Sequence, residues 1–346
     1  MSSSTSTSPN PVEAPVGGTT TARGRPKAWR HYTAQNAPLI LAALILAGTL
    51  VAYVTLYYGE LGSFPENFDW TSLTNTALPL VFAAIGQSVV VMTRGIDLSV
   101  GGMMDITNSL AAVHMRPTLG SMLGWTVAIL LIGAAGGLVN GLLVAYARLQ
   151  PILVTLATLS IYQGIALRIL KEPGGAVPPD LSTFLTNPNA PTGLLLVAFA
   201  AGLWWVFRRT RFGVGIIAVG NDEAAARANA IPVRRLKVWA YVLSGLFAAA
   251  GGLLMAATRT GGDATSGNVY TLTSIAAVVL GGISFLGGRG SAIGAILGAF
   301  ALTMVENVLF FAHIEPLYTP FYQGLFLVLA VLLGSVAGRL AKVRSQ

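Results

Sequence analysis

The sequence of 346 residues contains no cysteine, and only 10% of its residues are charged. The absence of cysteine excludes disulfide frameworks, thiolate nucleophiles and cysteine-ligated metals. A soluble domain ordinarily carries about 25% charged residues, so the low charge argues against that class. The hydrophobic fraction is 54% and the mean hydropathy is +0.69. Together these values indicate an integral membrane protein.

Sequence motifs for covalent chemistry are also missing. The chain has no G-x-x-x-x-G-K-[ST] phosphate loop, so any ATP would have to be hydrolysed by a partner. It has neither an H-E-x-x-H zinc motif nor a G-x-S-x-G nucleophile motif. His31 and His114 are too isolated in the sequence to predict a metal site. An intramembrane enzyme is therefore disfavoured.

Apolar runs that approach the roughly 20 residues needed to cross a bilayer recur along the chain. We predict an all-α membrane domain over residues 37–338, built from about ten spans. The spans are residues 37–58, 71–92, 98–115, 119–147, 151–170, 192–207, 236–258, 270–286, 291–312 and 317–337. Residues 1–36 are rich in Ser, Thr, Pro and Gly and then basic, which predicts a disordered tail, and residues 339–346 form a second tail.

The basic residues predict the orientation of these spans, because Lys and Arg accumulate in cytoplasmic loops. With both termini in the cytoplasm, most of the 21 Lys and Arg residues fall on the cytoplasmic side. The exceptions are Arg116, Arg168, Lys171 and Arg259. Residues 208–237 then form the one long cytoplasmic loop.

A short helix is predicted within that loop. Residues 224–230 are a helix-forming run that stops before Pro232. Asn221 or Asp222 can cap its N-terminus, and Glu223 suits the positive end of a helix. Because a helix this short has little apolar surface of its own to bury, it needs a partner. The partner is either the rest of the chain or another protein. The alternative is a loop that only connects two spans.

The segment TRGIDLSVGG, residues 93–102, separates two apolar runs. Glycine permits a break, and a broken helix survives in a membrane only where protein or a water-filled cavity surrounds it. From Leu98 the helix is predicted to resume. Four residues then share one polar face: Asp97, Gly101, Asp105 and Asn108. Asp105 and Asn108 either line a pathway or dimer contact, or make interhelical hydrogen bonds.

Asp97 itself has two interpretations, because carboxylates inside membranes are costly and are often functional. It can serve the pathway, or it can cap the new helix through the amide of Ser99 or Val100 while Arg94 pairs with it.

A second interruption, LGGISFLGGRG at residues 280–290, predicts a weak internal repeat of residues 71–115 in residues 270–312. Broken helices in corresponding halves are typical of transport sites. Glycines at intervals of four are predicted to be scaffold for close helix packing; they are Gly133, Gly137, Gly141, Gly290, Gly294 and Gly298. Glu306 and His313 share a helical face, which allows a proton relay or a plain polar contact.

Four stretches resemble, in order, the membrane subunits of bacterial ABC importers for ribose, xylose and similar monosaccharides. They are TRGIDLSVGG, NGLLVAYARLQPILVTLATLSIYQGIAL, AVGNDEAAARANAI and LGGISFLGGRGSAIGAILGAFALTMVENVL. They cover most of residues 71–338. The chain departs from that family at Arg94 and Ala230, where glycine is frequent, at residues 220–222, where paired glycines and then Asn are common, and at Glu306.

The resemblance implies an inner-membrane permease without catalytic residues, metal or cofactor of its own. Two copies would form the pathway, a cytosolic ATPase would carry ATP and Mg, and a periplasmic or lipid-anchored protein would deliver the sugar. The residues it assigns to ATPase coupling are Gly220, Asn221, Asp222, Glu223, Ala225, Ala226, Arg227 and Ile231. The candidates for the translocation pathway or its gating are Gly95, Asp97, Ser99, Gly101, Asp105, Asn108, Glu306 and Asn307.

A competing hypothesis is a secondary transporter, in which Asp105 or Glu306 carries a coupling proton. It requires transport by the isolated chain under a pH gradient.

Overall fold

The computed structural model describes residues 28–329 and residue 332, with side chains from residue 39 onward except at residue 316. Residues 1–27, the predicted tail at residues 339–346, and most of residues 330–337 lie outside the described residues. The first helix begins at Ala28, inside the segment for which a tail was predicted. The run AWRHYTAQNA contains neither Gly nor Pro, so nothing stops the helix there.

The described part of the chain is helical. Its helices are α1 Ala28–Leu61, α2 Asn67–Met92, α3 Val100–His114, α4 Leu119–Ala145, α5 Pro151–Ile169, α6 Pro179–Thr186, α7 Thr192–Phe207, α8 Arg211–Asn221, α9 Glu223–Ala228, α10 Val233–Arg259, α11 Asn268–Leu280, α12 Ala292–Phe311 and α13 Thr319–Leu329. These residues include no strand, apart from one isolated bridge between Gly174 and Gly262.

Six of these helices are long and apolar enough to cross a membrane, namely α1, α2, α4, α5, α10 and α12. The bent pair α7 and α8, with 76° between them, would make a seventh. A helix lies at each of the ten predicted segments, but α3 has 15 residues and α11 has 13. Both adjoin the glycine-rich interruptions, which take up the length that the hydropathy pattern had assigned to spans. The structure therefore establishes a helical membrane bundle of six or seven candidate spans.

The centre of the bundle is formed by α2, α3 and α10. In α2, 89% of the most apolar 18 residues are buried, whereas in α1 the same measure is 11%. Buried side chains of α2 such as Leu78 and Ile85 join Tyr241 of α10 in the largest core cluster. The outward apolar faces of α1, α4 and α5 are left to lipid, as hydrocarbon-facing helices require.

The predicted glycine stripes act as scaffold. A side chain at Gly137 of α4 would overlap the carbonyl of Tyr241 in α10, so the two backbones are in direct contact. Gly298 of α12 meets the carbonyl of Ala277 in α11 in the same way. Close approach through small residues is the usual packing of membrane helices. Gly290 is an exception, because it lies before α12 with φ at 127°.

At the end of the bundle where α3 and α10 terminate, three connections are tied together by main-chain hydrogen bonds. The amides of Gly174 and Gly262 each donate to the other's carbonyl at 2.9 Å. The amide of Ala176 donates to the carbonyl of Ala112 at 2.9 Å, and the amide of Val177 to that of Thr260 at 3.2 Å. We call this arrangement the backbone rim.

Candidate coupling site and polar interior

The predicted short helix exists as α9, and Asp222 caps it. Asp222 is the single residue between α8 and α9, and its carboxylate accepts the amides of Ala224 at 2.8 Å and Ala225 at 3.0 Å. Asn221, the other candidate cap, is instead the last residue of α8. The helix ends at Ala228 rather than at residue 230, because Ala230 takes a left-handed φ of 56°.

The charges around α9 hold it against α10. The Glu223 carboxylate accepts a hydrogen bond from the Lys237 ammonium at 2.7 Å and also pairs with Arg227. Burial alone would raise the pKa of Glu223, but the hydrogen bonds from Lys237 and Arg227 lower it below its ordinary value. The amides of Ala225 and Ala224 lower the pKa of Asp222. Both carboxylates are therefore ionised at neutral pH.

The two faces of α9 differ in their surroundings. Ala226 is buried in a small apolar cluster with Val219, Val233 and Leu236, and Ile231 packs against the same cluster. The opposite face of α9 is exposed, and it presents small residues and one cation: Ala224, Ala225, Arg227 and Ala228. The inner face thus uses this chain as its partner, while the outer face is open to a second protein.

Arg94 joins the first helix interruption to the end of α8. Its Nε donates to the carbonyl of Gly220 at 2.7 Å, and its Nη2 to the carbonyl of Asn221 at 2.6 Å. The interpretation that Arg94 pairs with Asp97 was therefore wrong. Arg94 takes a left-handed φ of 65°, and its side chain reaches the carbonyl end of α8, where unpaired carbonyls and the helix dipole favour a cation.

The second interruption meets the same place. The amide of Gly288 donates to the carbonyl of Met92, the last residue of α2, at 3.0 Å. A side chain at Gly220 would overlap both the Met92 carbonyl and the Gly288 amide. We call these three contacting stretches, residues 92–94, 220–221 and 287–288, the three-segment junction. Both glycine-rich interruptions are thus in contact with the segment that leads into α9.

Asp97 is the centre of a buried polar cluster just beyond the junction, with its side chain only 1% exposed. Its Oδ1 accepts the Ser99 amide at 3.0 Å and the Ser99 hydroxyl at 2.6 Å, and its Oδ2 accepts the Ser244 hydroxyl of α10 at 2.8 Å. The Asn140 amide of α4 donates to the Ser99 hydroxyl at 2.8 Å. The predicted contact with the Ser99 amide is present, but α3 begins at Val100 rather than at Leu98, so Ser99 and not Asp97 is the residue at its N-terminal cap.

The backbone around Asp97 is fixed as well. The side-chain amide of Gln87 pairs with the main chain of Asp97, donating to its carbonyl at 3.0 Å and accepting from its amide at 3.3 Å. A side chain at Gly95 would press on the hydroxyl of Tyr241 and on Val90, so a larger residue there would have to displace one of these side chains. The break between α2 and α3 is therefore an ordered structure anchored to α4 and α10.

The deeper polar stripe faces the connection between α10 and α11. Asp105 and Asn108 are both fully buried. Asp105 Oδ1 accepts the Gly267 amide at 2.5 Å, and Asn108 Nδ2 donates to the Asp263 carbonyl at 3.1 Å. Gly101 lies against Gly267. Asp105 Oδ2 and Asn108 Oδ1 have no hydrogen-bond partner among the described residues.

The polar residues of α12 are separate from that stripe. Glu306 accepts from Gln323 of α13 at 2.6 Å, and Asn307 donates to the carbonyl of Thr303 at 2.9 Å. His313 Nε2 lies 3.2 Å from Glu60 Oε2, so Glu306 and His313 make separate polar contacts, which agrees with the second of the two alternatives rather than with a relay between them. The described residues also contain no group of His, Asp and Glu side chains placed to hold a metal ion.

The junction contact of Arg94 is the feature that sequence reasoning missed. The available signal was that Arg94 stands where the resembling family frequently has glycine. This difference indicated a side chain to which no role had been assigned. The partner could not be read from the sequence, because Gly220 lies 126 positions further along.

Comparison with known proteins gives consistent matches over most of the chain. The family model described as branched-chain amino acid transport system / permease component matches residues 70–333. The "Autoinducer 2 import system permease protein LsrC" of Yersinia pestis (strain Pestoides F) is 33% identical over 295 residues, which is 81% of this chain and 82% of that protein. The protein of the same name from Yersinia pseudotuberculosis serotype O:3 (strain YPIII) is 32% identical over 292 residues, with the same coverage. No solved structure matches the chain.

Proposed function

Since the chain belongs to the family of branched-chain amino acid transport system permease components, we propose that it imports a sugar-like, hydroxyl-rich solute with energy from a partner ATPase. The chain is a multi-pass inner-membrane permease, a transport component rather than an enzyme. The solute, the partners and the full topology belong to the proposal, and each is argued from particular residues.

The observation that carries the proposal is the two-faced helix α9. Its inner face is fixed to α10 through Ala226 and through the Glu223–Lys237 pair. Its outer face is exposed and carries small side chains around Ala225. The chain itself has no phosphate loop, so ATP hydrolysis has to come from a partner. A cytosolic ATPase that carries ATP and Mg docks on this outer face and moves α8 and α9 as one unit.

The solute class is supported by the polar stripe. Asp105 Oδ2 and Asn108 Oδ1 are buried acceptors without partners among the described residues, and hydroxyl groups are donors that suit such acceptors. Asp105 and Asn108 hydrogen-bond to main-chain groups of Gly267 and Asp263 and not to a Lys or Arg side chain that could neutralise an amino acid's carboxylate. A neutral polyol therefore suits this interior better than an amino acid. The relatives, by name, import autoinducer 2.

The assembly we propose has ten membrane segments, with both termini in the cytoplasm as the basic residues predict. A second copy completes the pathway, along a groove of about 640 Å³ beside α11 and α13 where Leu272 is 70% exposed. A binding protein delivers the solute from outside. The two copies then open to opposite sides in turn, as domain rearrangements of this kind do.

A single substitution on the outer face of α9 tests the proposal. Ala225→Asp places a charge at the proposed contact, and Ala147→Asp is the matched control, since it is exposed in the connection between α4 and α5. We expect Ala225→Asp to lose co-purification with the ATPase and ATP-driven uptake of radiolabelled ribose or autoinducer 2 in proteoliposomes. The control should retain both.

The competing secondary transporter gives the opposite result. In that case the isolated chain would take up the same solutes under a pH gradient without nucleotide, and Ala225→Asp would have no effect. Uptake of leucine in place of the hydroxyl-rich solutes would overturn the solute class while leaving the ATPase coupling intact.

A further inference from the structure

Arg94 occupies a backbone conformation that its own side chain does not favour. Its φ of 65° lies in the left-handed region, where a side chain at Cβ meets the neighbouring carbonyl and glycine is the residue without strain. Arginine at this position therefore needs contacts that offset the strain.

Those contacts are the two carbonyls at the end of α8. The Arg94 guanidinium donates to Gly220 at 2.7 Å and to Asn221 at 2.6 Å. Its planar fork binds two acceptors at once, which a lysine ammonium does not do with the same geometry. Arg94 also contributes to the lowering of the pKa of Asp222, the residue that caps α9. One side chain thus contacts the exact point where α8 turns into the proposed docking helix.

On its other side, Arg94 belongs to the break between α2 and α3. Three residues further along, Asp97 is bonded to Ser244 of α10 and to Ser99, which Asn140 of α4 holds. Movement at residues 220–228 that displaces Arg94 is therefore passed to the start of α3 and its polar stripe. The third segment packs directly on this contact, since Gly287 lies against the Arg94 side chain and Gly288 lies against Asn221, and both glycines have left-handed φ values.

We propose that Arg94 is a positioning residue that transmits movement of the ATPase-docking helix to the break between α2 and α3. The inference rests on the proposed function of α9 as the docking site. It predicts that docking and nucleotide hydrolysis survive without the Arg94 side chain, while the response of α3 is lost.

The absence of native cysteine allows a direct test in the assembled permease–ATPase complex. A single cysteine replaces the half-buried Leu98, just before α3, and its labelling rate with fluorescein maleimide is measured with and without ATP and vanadate. We expect a nucleotide-dependent change with Arg94 present, and about a tenfold smaller change in Arg94→Gly, within the usual range of coupling between sites. Arg94→Lys should be intermediate.

Arg148→Gly is the matched control. Arg148 is also an arginine with a left-handed φ, at 57°, and its exposed side chain makes no hydrogen bond among the described residues. This variant should keep the full response of the Leu98 label. Because glycine relieves the strained backbone at either position, both variants should insert and fold.

The outcomes separate the inference from its premise. If Arg94→Gly binds the ATPase and keeps the nucleotide response of the label at residue 98, Arg94 does not transmit the movement. If Arg94→Gly and Arg148→Gly lose the response equally, the effect is not specific to the junction and the inference also fails. If the wild-type permease does not bind the ATPase, the proposed function itself is overturned.

Discussion

Gly137 of α4 tests the packing on which the bundle depends. A Cβ at this position would overlap the carbonyl oxygen of Tyr241 and lie 2.9 Å from the Cα of Val242, both in α10. These are main-chain atoms, so they cannot yield by rotating a side chain. Gly137→Ala must therefore separate α4 from α10.

The magnitude follows from comparison with Gly124 of the same helix. An added Cβ at Gly124 has no neighbour within 4 Å, so Gly124→Ala gains only helix propensity, about 1 kcal/mol. Gly137→Ala has the same gain but costs about 1–3 kcal/mol in overpacking. We expect Gly137→Ala to be less stable than Gly124→Ala by about 1–3 kcal/mol.

Thermal unfolding of the two detergent-purified variants, followed by circular dichroism, measures this difference. Equal midpoints for Gly137→Ala and Gly124→Ala would refute the direct contact between α4 and α10. A lower midpoint for Gly124→Ala would also contradict the reasoning, because that glycine faces open space.

Two further predictions concern charged groups. The folded pKa of Glu223 lies below its ordinary value of 4.5, so its stabilisation of α9 is full above pH 4.5 and is lost as the pH falls through the folded pKa. A cysteine at the buried Ala226 should therefore label faster on acidification relative to a cysteine at the exposed Ala225, which corrects for the falling thiolate fraction, and Glu223→Gln should reduce that pH dependence, the remainder coming from Asp222. Ser244→Ala removes one donor to the buried Asp97 and should destabilise the fold by about 1.5–3 kcal/mol, measured by thermal unfolding against Ser160→Ala, an exposed hydroxyl on α5.

Local features were predictable from the sequence because their causes are local. The cap by Asp222 and the short α9 follow from a carboxylate placed two and three residues before free helix amides. The contact of Asp97 with the Ser99 amide has the same origin. The shared face of Gly101, Asp105 and Asn108 follows from helical spacing alone, whereas Asp97 precedes α3 and bonds to Ser244 of α10 instead.

Other features depend on the residue at which each helix ends, which the sequence pattern does not show. The alternative of a relay from Glu306 to His313 assumed a continuous helix, but α12 ends at Phe311 and His313 has a left-handed φ of 55°. The count of ten spans is not confirmed, in part because hydropathy does not show that α3 and α11 lose their ends to the interruptions. Whether the pathway and coupling residues perform their assigned roles stays a prediction.

The backbone rim, at the C-terminal ends of α3 and α10, affects which sequence changes such proteins can accept. Main-chain hydrogen bonds join residues 174–177 to Ala112, Thr260 and Gly262. The backbone rim therefore does not depend on which side chains these loops carry. Gly175 is the exception, since its φ is 71° and a side chain would press on the Ala112 carbonyl. Substitutions in these loops can therefore change the surface of the backbone rim without changing the main-chain contacts beneath it.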